Sequence, residues 1–193
     1  MRPAVLILAG GEGRRIGGGK PLRLLGGRSL LDRAIERARG WSDRIAIAAR
    51  AADQVGDADV EVLLDPPGLE GPLGGLASAA RLGRPLVLTI PCDMPFLPDD
   101  LPDRLAAALA DQGAALAMSE GQVHPVCGLW RTDALVRLGD YAASGRRSLI
   151  GFAQTIGYIG VGWEGDPFFN VNSAADLAAA EARMVLGPAA SKG

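Results

Sequence analysis

The first apolar run of the chain, Val5-Leu6-Ile7-Leu8-Ala9, is continuous and ends at a glycine. A run without polar alternation fits a strand covered on both faces, as at the centre of a parallel sheet. It is too short for a signal-peptide core or a membrane span. A Gly/Arg-rich stretch over 10–20 follows. Ser29 can then cap a helix over 30–39, where Leu30, Leu31, Ala34, Ile35 and Ala38 recur at helical spacing. Arg44 to Ala49 and Val60 to Leu64 read as short strands, 65–72 as a loop, and the stretch to Leu82 as a helix. Leu86 to Ile90 is a second strongly apolar strand, broken at once by Pro91-Cys92-Asp93.

The second half continues the alternation. The pattern predicts a helix over Pro98 to Asp111, a strand over Ala114 to Met118, and a strand over Gln122 to Trp130 that carries His124-Pro125. Helices are expected near 132–143 and 147–154, then a strand over Tyr158 to Val161. Asn172 or Ser173 caps a last helix to about Met184, and the small, polar residues 187–193 read as a frayed tail. Strands alternating with helices imply an α/β sandwich on a mostly parallel sheet. No repeat or linker divides the chain. Residues 1–186 therefore read as a single domain with two functional halves, about 1–95 and about 96–186.

Composition narrows the function classes. With 193 residues, 48% hydrophobic and 22% charged, the chain is long enough for an ordinary core and far from a disordered one. A net charge of −2 and no aromatic–basic stripe argue against a nucleic-acid partner. Cys92 and Cys127 form no ligand-spaced pair, and with a single histidine a multi-histidine metal centre is excluded. Unpaired cysteines fit a reducing, cytoplasmic setting. Glycine occurs 27 times, whereas lysine occurs only at Lys20 and Lys192. A lone internal lysine at the end of a glycine loop is a candidate for chemistry.

Three segments could carry that chemistry. Gly10-Gly11-Glu12-Gly13-Arg14-Arg15-Ile16-Gly17-Gly18-Gly19-Lys20 follows the first strand. Its glycines let backbone N–H groups approach an anion, and Arg14, Arg15 and Lys20 supply charge. It is neither a Walker A loop nor a dinucleotide fingerprint, and a flexible connector with surface arginines is the plainer alternative. Asp93 stands just past the end of a buried strand, where α/β sheets bind ligands. It could hold Mg²⁺ with water and substrate phosphates, or merely cap a turn. Glu70-Gly71-Pro72-Leu73-Gly74-Gly75 opens a helix. There, glycines could admit a flat base or simply allow close helix–strand packing. Asp65, ending a strand, could accept hydrogen bonds from a base or ribose, or start a turn. One crevice holding all of these would suit a nucleoside triphosphate with Mg²⁺.

The chain resembles the molybdenum cofactor guanylyltransferases, the MobA family of the nucleotidyltransferase superfamily. The matching pieces are Leu8-Ala9-Gly10-Gly11 with Arg14-Arg15 and Lys20, Asp65, Gly71-Pro72-Leu73-Gly74-Gly75, and Pro91-Cys92-Asp93-Met94-Pro95. His124-Pro125, Gly145-Arg146-Arg147 and Phe169-Asn170-Val171-Asn172 complete the series in family order. The resemblance implies a three-layer α/β/α sandwich with a Rossmann-like nucleotidyltransferase fold. It also implies transfer of GMP from GTP to molybdenum–molybdopterin, giving the molybdopterin guanine dinucleotide cofactor and pyrophosphate. It assigns Leu8, Ala9, Gly10, Gly11, Arg14, Gly71 and Gly75 to the nucleotide, Lys20 and Arg15 to its phosphates, Asp65 to the nucleoside and Asp93 to Mg²⁺. His124, Arg146, Arg147, Asn170 and Asn172 would contact the pterin in the second half. Transient contacts with pterin-delivering proteins and molybdoenzymes would follow from such a role.

Against the family pattern, Gly19 replaces an aspartate before the loop lysine, the loop is one residue shorter, and Ala48 stands where an asparagine is usual. Gly11 and Gly71-Pro72-Leu73 favour guanine over cytosine, against the related molybdenum cofactor cytidylyltransferases. A non-catalytic carrier of the molybdenum cofactor is the reading from another class.

Overall fold

The computed structural model describes residues 2–9, 19–69 and 71–186. The apolar runs expected as strands pair into a seven-stranded sheet. Its members are β1 (Ala4–Leu8), β4 (Ile45–Ala49), β5 (Glu61–Leu64), β6 (Leu86–Pro91), β7 (Ala114–Ser119), β8 (Gln122–Arg131) and β9 (Tyr158–Trp163). The order is β5-β4-β1-β6-β8-β7-β9, and only β8 runs antiparallel to its neighbours. The chain moves from β1 outward through β4 to β5, then returns to β6 on the other side of β1. The carboxyl ends of β1 and β6 thus meet at a topological switch point, the usual place for a ligand crevice.

Period-two alternation within buried strands sorts the core onto two faces. Val5 and Ile7 of β1, with Ala9 just after it, pack with α1 (Leu30–Trp41) and α3 (Leu101–Ala108). Ala4, Leu6 and Leu8 pack on the opposite face with α2 (Pro72–Ser78), α4 (Leu138–Ala143) and α5 (Leu149–Ile156). This is the three-layer α/β/α sandwich with a mostly parallel sheet. At its rim lies a small third cluster, in which Leu25, Leu30 and Val171 meet Ala180 of α6 (Ala174–Leu186). Among the described residues, no helix is long and apolar enough to cross a membrane.

Local signals decide most element ends. Ser29 caps α1 as expected, its Oγ accepting the Asp32 N–H at 3.0 Å. α3 is shorter than the 98–111 expected. Pro102 sits in its first turn, where a missing N–H costs nothing, and Ala110 ends it with a φ of 41°. The helix expected over 132–143 starts as a 3₁₀ turn, Ala134–Arg137, before α4. The two-stranded hairpin β2 (Leu24–Leu25) and β3 (Arg28–Ser29) was not foreseen. Its two-residue Gly26-Gly27 turn has φ values of 56° and 79°, the left-handed pair that tight hairpins require. The tail over 187–193 and the glycine loop over 10–18 lie outside the described residues.

Candidate functional site

At the carboxyl ends of the central strands a cavity of about 220 Å³ opens. Leu8 and Ala9 at the end of β1, Ala48 from β4, Asp65 after β5, and Pro91 to Asp93 at the end of β6 line one side. Lys20, Gly71, Gly75, Val126 and Asn170 close the rest. The crevice therefore joins Leu8, Ala9, Lys20, Asp65, Gly71, Gly75 and Asp93 from the first half with Asn170 from the second. Backbone bonds fix the strand ends that carry them: Ala9 N–H donates to Ala48 C=O (2.9 Å), Asp65 N–H to Ala49 C=O (3.0 Å), and Cys92 N–H to Leu8 C=O (3.3 Å). Gly10, Gly11, Arg14 and Arg15 lie outside the described residues.

Lys20 follows the loop in a short 3₁₀ turn, Lys20–Leu22, anchored by the buried ring of Pro21. Its Nζ forms an ion pair with Oδ2 of Asp93 and donates to Oδ1 of Asn172 at 2.6 Å. Lys20 and Asp93 are 12% and 15% exposed, so the pair is largely withdrawn from water, where charge interactions strengthen. An ammonium has three donors. These two acceptors therefore leave one for a ligand anion. Oδ1 of Asp93 is buried without a partner among the described residues.

Both carboxylate oxygens of Asp65 are likewise buried and unpaired among the described residues. Burial raises the carboxyl above its ordinary pKa, an effect the Arg50 charge partly offsets. Buried polar atoms without partners carry a desolvation cost, so a pair of them in a cavity wall is a ready acceptor for ligand N–H or O–H groups. The glycines beside Asp65 divide between the two roles expected of them. A β-carbon on Gly74 would strike the Leu69 carbonyl oxygen and approach Asp65 Cγ at 3.2 Å. On Gly75 it would lie 2.6 Å from Leu8 Cδ2 and 3.2 Å from Ala48 Cβ. Close packing therefore demands glycine at Gly74, whose neighbour is backbone, whereas at Gly75 the nearest atom is the movable end of the Leu8 side chain; Gly75 also faces the cavity. Gly71 faces the cavity too, and a β-carbon there would meet nothing within 4 Å.

The second-half candidates part company. Oδ1 of Asn170 is buried in the cavity wall and unpaired among the described residues. Asn172 does not cap α6. Ser173 does so, its Oγ accepting the Asp176 N–H at 3.1 Å, while the Asn172 side chain serves Lys20. His124 is held by its own half: Nε2 lies 2.8 Å from Ser119 Oγ and the ring stacks on Phe168 at 4.7 Å. Burial lowers its pKa, against a raising influence from Asp166. Arg146 and Arg147 do not line the cavity. The Arg146 guanidinium lies 4.4 Å from the Tyr141 ring centroid, and Arg147 donates to the Ala142 carbonyl at 2.6 Å.

Several wall residues had no signal in the sequence reading. Val126 follows His124-Pro125 where the β7–β8 register shifts between Leu116 and Ala117, so its place depends on that irregularity. Ser119 and Phe168 support His124 only through the fold. Cys92 lines the cavity, but burial, reinforced by Asp93, pushes its thiol up to about 12, so it is no nucleophile at neutral pH. Among the described residues no three His, Cys, Asp or Glu side chains converge as a ligand set. A divalent cation would rest on the free Oδ1 of Asp93. That donor suits Mg²⁺, which commonly takes one or two carboxylates and fills its octahedron with water and phosphate oxygens.

Comparison with known proteins gives the following. The family model for the MobA-like NTP transferase domain matches residues 5–156. A molybdenum cofactor guanylyltransferase of Cereibacter sphaeroides is 41% identical over 191 residues, covering 95% of this chain and 98% of the relative. One from Acidiphilium cryptum is 40% identical, covering 92% and 93%. Among solved structures, molybdopterin-guanine dinucleotide biosynthesis protein A from Archaeoglobus fulgidus superposes with a TM-score of 0.78 at 22% identity, covering 93% of this chain and 97% of that one. A CMP:2-keto-3-deoxy-manno-octonic acid synthetase complexed with CTP gives 0.74 at 13% identity, covering 96% and 99%. Both share the fold.

Proposed function

The chain belongs to the MobA-like NTP transferase family, and on that premise we propose that it transfers GMP from GTP to molybdenum–molybdopterin, releasing pyrophosphate. The observation that carries this reading is the set of carboxylate oxygens left without a partner among the described residues, both of Asp65 and Oδ1 of Asp93, in one cavity with Lys20. They follow β5 and β6, three strand spacings apart, or about 14 Å. That separation suits an elongated ligand with a hydrogen-bonding head and an anionic tail.

Asp65 accepts from the nucleoside, with Gly71 and Gly75 giving the flat base room against the backbone. Lys20 holds the phosphates with its remaining donor. Asp93 would hold Mg²⁺ through its Oδ1, and the cation would supply charge neutralisation to the triphosphate. The terminal phosphate oxygen of the pterin attacks the α-phosphorus, and the bond from that phosphorus to the β-phosphate oxygen breaks. Such a displacement depends on alignment and charge stabilisation rather than on a protein nucleophile. That suits a cavity whose only thiol, Cys92, is held protonated. Arg14 and Arg15 add positive charge on the glycine loop, and Gly10 and Gly11 add backbone N–H groups.

Asn170 reaches the same cavity from the second half and is the group best sited to meet the acceptor phosphate. His124, Arg146 and Arg147 belong to the pterin side of this reading. Cytoplasmic location and transient delivery contacts are part of the same proposal. Calorimetric titration of the protein with GTP, CTP and ATP in Mg²⁺ tests the nucleotide assignment. GTP should bind most tightly, and the preference should weaken in Asp65→Ala. Equal binding of all three would overturn it.

A further inference from the structure

The Lys20 ammonium bonds to Asn172, a residue 152 positions away in the other half of the chain. The amide is not loosely placed. Asn172 N–H and Ser173 N–H both donate to Oδ2 of Asp176, at 2.9 and 2.8 Å, while Asp176 N–H donates back to Ser173 Oγ. This reciprocal cap fixes the start of α6 and with it the Asn172 backbone. On the other side, Val171 N–H donates to the Asp93 carbonyl at 2.9 Å, and the Val171 side chain is wholly buried. The acceptor that meets Lys20 is thus held from both flanks.

We propose that Asn172 is a positioning residue for Lys20, acting through the ammonium rather than by contact with the pterin. Without it, the flexible lysine stem would leave Nζ with Asp93 as its one fixed partner among the described residues. A strongly hydrated point charge then collapses onto the carboxylate. The neutral amide offers a second acceptor without adding charge. It divides the ammonium between two oxygens and keeps the third donor directed. Asp93 consequently keeps Oδ1 free while Oδ2 is occupied. The inference rests on the proposed nucleotide reaction only for its kinetic consequence; the placement of the ammonium is independent of it.

Because lysine occurs only at positions 20 and 192, protein labelled with side-chain ¹⁵N-lysine reports Lys20 almost in isolation. In nucleotide-free protein, the Lys20 ammonium should give a protected ¹H–¹⁵N signal, identified by its loss in Lys20→Arg. Asn172→Ala should shift or broaden that signal, and Asn172→Asp, which restores an acceptor of equal length, should recover it. Should Asn172→Ala fail to fold, Asn172→Ser, whose hydroxyl is too short to reach, must show the same loss. In turnover, Asn172→Ala should raise KM for GTP by about tenfold, as loss of a hydrogen bond to a charged group does, and leave KM for the pterin unchanged. An unaltered Lys20 signal in Asn172→Ala, or a rise confined to KM for the pterin, would overturn the proposal. A shifted signal in a protein that transfers no GMP would uphold the positioning and refute the reaction instead.

Discussion

Val171 N–H donates to the carbonyl of Asp93 at 2.9 Å. This single backbone bond joins the segment before the last helix to the end of the central strand β6. It brings Asn170 into the cavity wall and Asn172 onto Lys20, so both halves of the chain supply the site.

In the proposed reaction the phosphate chemistry would converge on Asp93. Asp93→Ala should abolish Mg²⁺-dependent turnover, a loss of at least about 10²-fold for removal of a preorganised charge-stabilising group. Far-ultraviolet circular dichroism should stay that of the parent, because the strand's backbone bonds do not involve the side chain. Pyrophosphate release against Mg²⁺ concentration measures the effect.

The glycine ledge separates packing from binding. Gly74→Ala should destabilise the fold by about 1–3 kcal/mol, since its β-carbon meets a backbone carbonyl that cannot turn away. Gly75→Ala meets the end of the Leu8 side chain, which can move, and the Ala48 methyl, which cannot. It should cost less stability and weaken nucleotide binding more. Urea denaturation and calorimetric titration distinguish the two.

Asp65 bears a pKa raised chiefly by burial. The folded state thus binds its proton more tightly than the unfolded chain does, and the carboxyl's contribution becomes less favourable as pH rises from the unfolded value through the folded one. Asp65→Asn removes that penalty. The variant should be more stable than the parent at pH 7, with the difference shrinking in acid, while nucleotide affinity falls by about tenfold. Thermal melts from pH 3 to 7 test the sign.

For His124 the sign is opposite. Burial lowers its pKa, so its contribution is fully present above the ordinary histidine value and is lost as pH falls toward the folded one. His124→Phe preserves a ring against Phe168 and removes the titration. Its melting temperature should vary less between pH 7 and 5 than the parent's.

Much of this architecture was legible because it is local. The apolar run before Gly10, the Ser29 cap and the strand-end position of Asp93 are set by neighbours in sequence, and each is found where the pattern predicts. The glycine ledge was legible as glycine but not as function, since packing and binding ask for the same residue until Leu8, Ala48 and Asp65 are placed around it. The partnership of Lys20 with Asn172 has no local signature; it arises from two elements brought together at the sheet's switch point. Asn172 read equally well as a cap or a ligand contact, and Ser173 took the first role. Arg146 and Arg147 stood out as a charged pair, but a tyrosine ring and a helix-end carbonyl engage them outside the cavity wall.

The central claim is tested most directly by measuring pyrophosphate release from molybdenum–molybdopterin and Mg²⁺ with GTP, CTP or ATP supplied one at a time. Turnover with GTP alone is the predicted result. Turnover with CTP in place of GTP would contradict the reading of the Asp65 and glycine wall. Pterin binding by folded protein without pyrophosphate from any nucleotide would contradict the transfer reaction itself and leave a cofactor carrier.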